Sequence, residues 1–381
     1  MNSFVELGVT EGMAFALAKE KIGNPMEIQA AAIPRILKGM NIIGQAPTGT
    51  GKTLAYLLPV MQRIDASLPQ AQALVLAPTY ELAMQIARTA QQLVDDAGIL
   101  LRVQGLIGGA NIARQVEKLK KKPHLVIGSA GRILELSRKG KLKLDRVNCL
   151  VLDEFDRLLD DQNVKTVSDL VRELPQEGMQ YLMFSATAPK KARERADFLG
   201  SPEFIRVREL PDEAGEREDL YMMVPFRDKI EAVRKLARTL PVRRGLVFIN
   251  RAFDAERALA KLCYEGIRAV SLLGNADKMA RKHAIADFRK GKAQLLLSTD
   301  LAARGLDIQD VDYVFNLDMP ESADVYRHRA GRTARAGAKG SVITLADGRE
   351  AAKLKKLEES LGIALKQLRR TPHLQKGKKK S

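Results

Sequence analysis

Residues 46–53 of the sequence could bind the phosphates of a nucleoside triphosphate. Glycines let the backbone of such a loop wrap closely around phosphate oxygens, with its amides pointing inward. The lysine that closes the loop can neutralise the β- and γ-phosphates, and the following hydroxyl can hold Mg²⁺. The predicted phosphate-binding residues are Thr48, Gly49, Thr50, Gly51, Lys52 and Thr53.

The acidic residues 153–156 supply the second half of such a site. They follow the apolar run 149–152, which is typical of a buried strand, so their carboxylates should emerge at the strand end. Asp153 can then hold Mg²⁺ through water, and Glu154 can polarise the attacking water. Together with the phosphate loop, this pair predicts hydrolysis of a nucleoside triphosphate with Mg²⁺.

A third segment, 326–337, is rich in arginine. If residues 322–335 are helical, His328, Arg332 and Arg335 share one face of the helix. Guanidinium groups held in this way can stabilise the charge that develops on a γ-phosphoryl group. An ordinary exposed basic face is the alternative. The preceding loop 299–307 favours the first interpretation, because polar loops that close apolar strands often bind ligands in α/β sheets.

Strand-like apolar runs alternate with amphipathic helical runs along the chain. The alternation predicts an α/β fold in which mostly parallel sheets are covered by helices on both faces. The predicted strands are 42–45, 73–77, 103–107, 125–128, 149–152, 181–184, 220–224, 245–249, 294–298, 313–316 and 342–345. The predicted helices between them include 54–64, 81–94, 113–120, 227–238, 255–264 and 279–288.

The length of 381 residues exceeds what one core holds and predicts two tandem domains. The first is expected at 1–207 and the second at 220–370. The polar, acidic segment 208–219 is the predicted linker, and 371–381 form a short basic tail expected to be disordered.

Composition indicates the kind of partner. The 63 lysines and arginines exceed the 46 acidic residues, giving a formal charge of +17, which favours nucleic acid over a merely charged surface. With no tryptophan and 5% aromatic residues, binding should use the sugar-phosphate backbone rather than base stacking.

Cys149 and Cys263 give no disulfide framework and are both expected to be buried. Without an apolar run of membrane-spanning length or a signal peptide, a cytoplasmic protein with no membrane partner is predicted.

The set of motifs resembles, in order and over nearly the whole chain, the DEAD-box ATP-dependent RNA helicases. Further matching segments are 78–83, 108–109, 129–132, 185–187 and 247–250, and residues 4–29 resemble the family's adenine-reading segment. The resemblance implies two RecA-like P-loop domains that close on ATP and RNA together. It suggests a bacterial enzyme with a minimal two-domain core.

The resemblance also assigns nucleotide and coupling roles. Gln29 would read the adenine, Phe4 would support that segment, and Ile22 would give the base only aliphatic contact where the family has an aromatic ring. Gly305 and Asp307 would contact the nucleotide, Asp307 at the ribose, while Arg332 and Arg335 would reach the γ-phosphate as arginine fingers. The groups implied to couple the nucleotide to RNA are Asp156, Ser185, Thr187 and His328.

The remaining implied roles concern RNA. The implied contacts to its backbone are Thr79, Gly109, Gly131 and Arg132 in the first domain and Asn250, Arg281 and Thr299 in the second. Because backbone contacts carry little sequence information, RNA specificity should be broad.

Several residues depart from the family pattern. Phe155 stands where the family has alanine, and its ring should point into the core. Tyr80 replaces the usual arginine and Lys278 a usual glutamine, and Ser129 and Ala130 replace a threonine–proline pair. Ile22 suggests weaker ATP affinity or a laxer nucleotide preference. None of these changes removes a phosphate, magnesium or arginine-finger group, so an active ATPase is expected.

The sequence therefore predicts an RNA-stimulated ATPase that unwinds short RNA duplexes or remodels RNA–protein complexes. An ATP-gated RNA clamp or annealer with little turnover is the alternative, which the retained Glu154 disfavours. A DNA helicase is disfavoured by the Gln29 segment and by Asp156. A role in ribosome biogenesis, with ribosomal or RNA-degradation proteins as partners, is expected by analogy.

Overall fold

A computed structural model of the chain describes residues 3–47, 49–108, 112–196, 200–207, 217–250, 252–272, 278–303, 311–334 and 338–368. The chain divides into two compact units, Met1–Glu209 and Leu210–Ser381. Each unit is built on one parallel sheet covered by helices, which confirms the predicted α/β class. No helix among these residues combines the length and the apolar character needed to cross a bilayer.

The first unit contains seven strands in its described part. They are β1 Ile42–Gln45, β2 Ala73–Leu76, β3 Val103–Leu106, β4 Leu125–Gly128, β5 Cys149–Asp153, β6 Gln180–Ser185 and β7 Glu203–Arg206. The helices are α1 Glu11–Lys19, α2 Glu27–Leu37, α3 Lys52–Gln62, α4 Tyr80–Ala97, α5 Ile112–Leu119, α6 Ala130–Arg138, α7 Phe155–Leu158, α8 Val164–Arg172 and α9 Lys190–Ala196. Neighbouring strands pair in parallel in the order β3-β4-β2-β5-β6-β1-β7.

The second unit repeats this arrangement. Its described strands are β8 Arg217–Met223, β9 Gly245–Phe248, β10 Ala269–Ser271, β11 Leu295–Ser298, β12 Tyr313–Asn316, β13 Gly340–Ala346 and β14 Lys366–Gln367. The helices are α10 Lys229–Thr239, α11 Ala252–Tyr264, α12 Lys278–Arg289, α13 Asp300–Ala303, α14 Ala323–Ala330 and α15 Ala351–Leu361. The order is β10-β11-β9-β12-β13-β8-β14, again parallel, so the nth strand of each unit occupies the same position in its sheet.

Each sheet separates two hydrophobic cores. In β2, Val75 packs into one core of the first unit, whereas Leu74 and Leu76 pack into the other. The same alternation places Leu246 and Val247 of β9 in different cores of the second unit. Successive side chains of a strand point to opposite faces, and both faces are covered here. This explains why the central strands are continuous apolar runs.

Each predicted strand overlaps a strand of the structure, but three strands were not predicted. The missed strands β7, β10 and β14 all lie at sheet edges. Edge strands are half exposed and short, so they lack the apolar signal that identifies central strands. Residue Phe204 of β7, for example, is 40% exposed.

Two further expectations differ from the structure. The strand β8 begins at Arg217, so the last three residues of the predicted linker belong to a sheet. The rest of that linker, 208–216, and the predicted tail 371–381 lie outside the described residues. Cys149 is buried as predicted, whereas the prediction of a buried Cys263 is wrong, because this residue lies on the exposed side of α11 near its end.

Helix α2, which carries Gln29, begins without a side-chain cap. Its N-cap residue is Met26, with the extended backbone usual at this position (φ −75°, ψ 162°). Gln29 Oε1 accepts a hydrogen bond from the Met26 amide at 2.9 Å, which is one half of a capping box. The thioether of Met26 cannot supply the other half, because sulfur is a weak acceptor.

We predict that Met26→Thr stabilises the first unit. The new hydroxyl can accept a backbone N–H of the first turn of α2, which should raise the free energy of unfolding by about 1 kcal/mol. Denaturant unfolding of the intact protein measures the change. Met26→Val is the matched control, because valine has nearly the same shape but no hydroxyl. Equal stability of the two variants would show that the missing cap does not limit stability.

Candidate functional site

Three neighbouring strands bring the predicted catalytic residues to one edge of the first sheet. The strands β5, β6 and β1 are adjacent and parallel. The phosphate loop follows β1, residues 153–156 lie at the end of β5, and Ser185 ends β6. Because parallel strands share the direction of their carboxyl ends, these three segments must meet at one edge.

The phosphate loop leads directly into α3. Gly49 and Gly51 have positive φ angles of 89° and 78°, a region that glycine adopts without strain. A Cβ atom on Gly51 would lie 2.1 Å from Gln29 Nε2, so a larger residue does not fit there. Lys52 is the first residue of α3, whose free backbone amides and dipole favour an anion. Thr48 lies outside the described residues.

Side chains of the loop bind to its own backbone. Lys52 Nζ donates hydrogen bonds to the carbonyl oxygens of Ala46 (2.7 Å) and Pro47 (2.6 Å). The Thr50 hydroxyl donates to the same Pro47 oxygen at 2.7 Å. These bonds hold the ammonium group over the concave side of the loop. Thr53 follows Lys52 in the first turn of α3.

Asp153 is the last residue of β5 and its side chain is buried. The Tyr56 hydroxyl donates to Asp153 Oδ2 at 2.8 Å, and the Glu154 amide donates to Oδ1 at 3.0 Å. Burial, followed by repulsion from the Glu154 carboxylate, raises the pKa of Asp153 to about 6. The hydrogen bond from Tyr56 acts in the opposite direction. A nearby cation would stabilise the ionised form of a carboxylate that is buried in this way.

Glu154 occupies a strained position between β5 and α7. Its φ and ψ angles are both 52°, in the left-handed region that non-glycine residues rarely adopt. The ring of the next residue, Phe155, is fully buried in the core, as predicted. Glu154 Oε2 is buried and accepts no hydrogen bond from any described residue. Buried carboxylate oxygens of this kind suit a divalent cation or a bound water, since Mg²⁺ prefers oxygen ligands.

Asp156 joins the acidic segment to the end of β6. Ser185 Oγ donates to Asp156 Oδ1 at 2.7 Å, and Thr187 Oγ1 donates to Oδ2. All three side chains are at least partly buried. The structure therefore brings together three of the four residues predicted to couple the nucleotide to RNA, although that role stays a prediction.

The adenine-reading segment is anchored to the phosphate loop. Gln29 is buried, and its Nε2 donates to the carbonyl oxygen of Gly51 at 3.1 Å. Phe4 is buried in the core of the first unit, which fits a supporting role, and Ile22 is half-buried against the same core. The predicted contact of Gln29 with adenine would use the donor and acceptor capacity that remains on its amide.

The predicted RNA contacts of the first unit lie at helix starts. Thr79 is the N-cap of α4, where its hydroxyl accepts the Leu82 amide at 3.3 Å. Gly131 and Arg132 lie in the first turn of α6. The Nε atom of Arg132 lies 3.3 Å from Glu135, and its buried Nη1 bonds to no described residue. Gly109 lies outside the described residues.

In the second unit, Arg329 connects several predicted functional segments. This fully buried arginine donates from Nε and Nη2 to the two carboxylate oxygens of Asp300, each at 2.7 Å. Nη1 donates to Asn316 Oδ1 (3.2 Å) and to the Asp318 carbonyl (2.8 Å), and Nη2 donates to Asn250 Oδ1 (2.9 Å). One guanidinium thus fixes the loops that follow β9, β11 and β12.

The other predicted residues of this unit lie near that network. The backbone amide of Asn250 donates to Asp318 Oδ2 at 2.8 Å, and its side-chain Oδ1 accepts from Arg329. The backbone and the side chain of Asn250 therefore both belong to the network. The Thr299 hydroxyl accepts the Ala302 amide at 3.2 Å and begins α13. Arg281 is half-buried on α12. Gly305, Asp307 and Arg335 lie outside the described residues.

The predicted helix 322–335 is shorter than expected. It ends at Ala330, so the prediction that His328, Arg332 and Arg335 share one helical face is wrong. The reason lies in Thr333, whose hydroxyl donates to the Val311 carbonyl and draws the chain into a parallel bridge. Arg332 is therefore a buried residue of the turn after α14, and the half-buried His328 remains on the helix.

Sequence reasoning missed Tyr56 and Arg329. Tyr56 lies one helical turn after Lys52 on α3, a spacing that indicates the same side of the helix. Arg329 lies between the buried Tyr326 and Ala330 on α14, which indicates a buried face. In both cases the signal was the position on the helix rather than the residue type.

Family models match a segment of each unit. A DEAD/DEAH box helicase family model matches residues 26–195, and a helicase conserved C-terminal domain model matches residues 228–337. The DEAD-box ATP-dependent RNA helicase CshC of Bacillus cereus is 41% identical over 338 residues, which cover 88% of this chain and 86% of the relative. The probable ATP-dependent RNA helicase YfmL of Bacillus subtilis is 41% identical over 342 residues, 90% of each chain.

Solved structures share the fold. The structure of S. cerevisiae Dbp5 bound to RNA and ADP BeF3 has a TM-score of 0.85 and 27% identity, covering 97% of this chain and 96% of that chain. This likeness confirms the predicted pair of RecA-like domains.

We predict that Tyr56→Phe shifts the acid limb of ATP hydrolysis to higher pH. Protonated Asp153 cannot hold a cation, so activity should fall as the pH drops through the pKa of this group. Removing the Tyr56 hydrogen bond raises that pKa further, by about one unit, because such a bond to a charged group is worth about 1.5 kcal/mol. The pH dependence of kcat/KM reports the free enzyme. Tyr181→Phe, elsewhere on the same sheet, should leave the limb unmoved, and an unmoved limb in Tyr56→Phe would contradict the assignment.

We predict that Arg329→Gln lowers the free energy of unfolding of the second unit by about 3 kcal/mol, since it leaves Asp300 without its partner. A double-mutant cycle with Asp300→Asn, followed by denaturant unfolding, should give a coupling energy of about 2 kcal/mol.

The matched control is Arg327→Gln on the same helix. Arg327 pairs with Asp324 at 2.9 Å, but both side chains are about half exposed, so its loss should cost less than about 1 kcal/mol. Equal costs at the two arginines would rule out the proposed network.

Proposed function

The chain belongs to the DEAD-box family of ATP-dependent RNA helicases, and from this membership we propose that it uses ATP hydrolysis to separate short RNA duplexes locally or to remodel RNA–protein complexes. The family relatives are ATP-hydrolysing enzymes acting on RNA.

The geometry of Glu154 is the observation that carries the proposal. Its buried Oε2 accepts no hydrogen bond from a described residue. The carboxylate of the preceding residue, Asp153, is suited to a metal ion. An oxygen in this position can accept a hydrogen bond from a water molecule and so orient that water for attack on the γ-phosphate. A protein that only clamps RNA has no need to position such a water. The geometry therefore favours turnover over an ATP-gated clamp or annealer.

We propose that Mg²⁺ binds with ATP. The Thr53 hydroxyl and the Asp153 carboxylate, largely through water, are the groups that would hold it, and the ion would neutralise charge on the phosphates. Lys52 would bind the β- and γ-phosphates. Arg332 and Arg335 are the proposed arginine fingers, supplied by the second unit.

RNA is the proposed partner, in single-stranded or short duplex form. Thr79, Arg132 and the helix starts that carry them suit phosphate groups, because helix N-termini favour anions. Contacts of this kind bind the backbone with little regard to sequence. A strand held in a bent form would exclude a regular duplex, and hydrolysis would release it. Ribosome biogenesis in the cytoplasm, with ribosomal or RNA-degradation proteins, remains the proposed setting by analogy.

The test is steady-state ATP hydrolysis without nucleic acid, with single-stranded RNA and with DNA of matched sequence. We expect stimulation by RNA and little by DNA. Glu154→Gln should lower the RNA-stimulated rate by about 100-fold or more, because positioning of the attacking water contributes about that much. ATP and RNA binding by this variant should remain close to wild type.

Glu117→Gln on α5 is the control, because it makes the same chemical change at an exposed residue. A wild-type rate in Glu154→Gln would overturn the catalytic assignment. Equal rates with no nucleic acid, RNA and DNA would overturn the proposal that RNA controls hydrolysis. Strong RNA stimulation without strand displacement would favour the clamp.

A further inference from the structure

Five cationic side chains line a cavity at the edge of the second sheet opposite to the loops of the candidate site. Arg243 and Arg244 precede β9, Arg268 precedes β10, and Arg289 and Lys290 precede β11. The cavity has a volume of about 540 Å³. We call these five residues the basic cluster. The other residues that line the cavity in the described structure are Val242, Gly291 and Gln294, none of them acidic or aromatic.

Hydrogen bonds from the side chain and backbone of Gln294 hold the three loops of the basic cluster together. Gln294 Nε2 donates to the carbonyl oxygens of Ala237 (2.8 Å) and Val242 (3.0 Å). The Gln294 amide donates to the Arg268 carbonyl at 2.7 Å, and the Gly245 amide donates to the Gln294 carbonyl at 2.8 Å. The cations therefore extend from loops whose backbones are hydrogen-bonded to one another.

Most side chains of the basic cluster are exposed to solvent. Asp312 accepts hydrogen bonds from the backbone amides of Arg243 (2.9 Å) and Arg244 (3.2 Å). Its carboxylate also lies 3.3 Å from Arg243 Nη2, but that arginine side chain is 87% exposed. Arg268, Arg289 and Lys290 are exposed as well. Bringing these cations together raises their mutual repulsion, which a bound polyanion would relieve.

We propose that the basic cluster binds the phosphate backbone of an RNA segment lying outside the stretch held by the candidate site. This inference rests on the proposed RNA-binding function. Four of the five cations are arginines, whose planar forks match phosphate oxygens in pairs. No aromatic side chain of the described residues lines the cavity, so the contacts are mainly to phosphates and carry little sequence information.

Because of the position of the basic cluster, its contribution to affinity should depend on the length of the RNA. The strands β9 and β11 have four residues each, so the sheet separates its two edges by about 13 Å of strand. An RNA whose nucleotides are all bound at the carboxyl edge has none left to contact the cluster, whereas a longer RNA can contact both edges. The cluster should therefore add affinity only for the longer RNA.

The test compares RNAs of about 10 and about 30 nucleotides, the shorter within the range that one domain covers. The variant is Arg268→Gln, Arg289→Gln and Lys290→Gln in the full chain. Fluorescence anisotropy at several salt concentrations gives the affinities. For the longer RNA we expect a loss on the order of tenfold at about 0.1 M salt and a shallower plot of log K against log salt, by about two units for three lost phosphate contacts.

The control is Lys353→Gln, Lys355→Gln and Lys356→Gln on α15, which removes the same three charges from another exposed surface of the second unit. It should leave the salt slope close to wild type. Equal losses in the two triple variants would overturn the proposal, since total charge would then explain the effect. An unchanged affinity for the longer RNA would also overturn it and would favour an acidic protein as the partner.

The short RNA separates this proposal from the proposed function. Retained affinity for the short RNA and retained RNA-stimulated hydrolysis in the cluster variant would leave the helicase proposal intact whatever the longer RNA shows. Failure of the wild-type protein to bind either RNA would overturn both.

Discussion

All described strands of each sheet run parallel, and this constraint decides where chemistry is possible in the protein. Loops that follow strands leave from one edge, and loops that precede strands leave from the other. In the first unit this gathers Lys52, Asp153 and Ser185 although they are far apart in sequence. In the second unit it gathers the residues around Arg329 at one edge and the basic cluster at the opposite edge. An antiparallel strand in place of β5 would move the acidic segment away from the phosphate loop.

The two units treat buried charge in different ways. Asp153 is buried with two hydrogen bonds, and its pKa is raised to about 6, so a bound cation would stabilise its ionised form. Arg329 is buried with five hydrogen bonds, which satisfy every arm of its guanidinium. The first arrangement leaves a group ready to respond to a ligand, as strained and under-satisfied sites often do. The second fixes three loops in one geometry. The buried charge that can respond to a ligand thus lies in the first unit, and the buried charge that fixes loops lies in the second.

The sequence predicted the central strands, the phosphate loop and the burial of Phe155, because these depend on local patterns of apolar residues and glycines. It did not predict three of the four edge strands, β7, β10 and β14, which bury little. The helix expected at 322–335 was too long, because a bond from Thr333 to a residue 22 positions earlier ends it. Tyr56 and Arg329 were missed for a related reason. Their partners are far away in sequence, 97 residues in the case of Tyr56 and Asp153, and no local pattern reports such contacts.

The strand orders of the two sheets are the same when strands are counted from the start of each unit. The fourteen described strands are thus connected in the same order twice, once in each unit. In the first unit a glycine-rich loop follows the first strand. In the second unit the same place, after β8, holds Val224, Pro225 and a 3-10 turn at Phe226–Asp228. Proline lacks the amide that a phosphate loop needs. The same series of strands therefore carries a phosphate-binding loop in the first unit and a proline-containing turn at the matching place in the second.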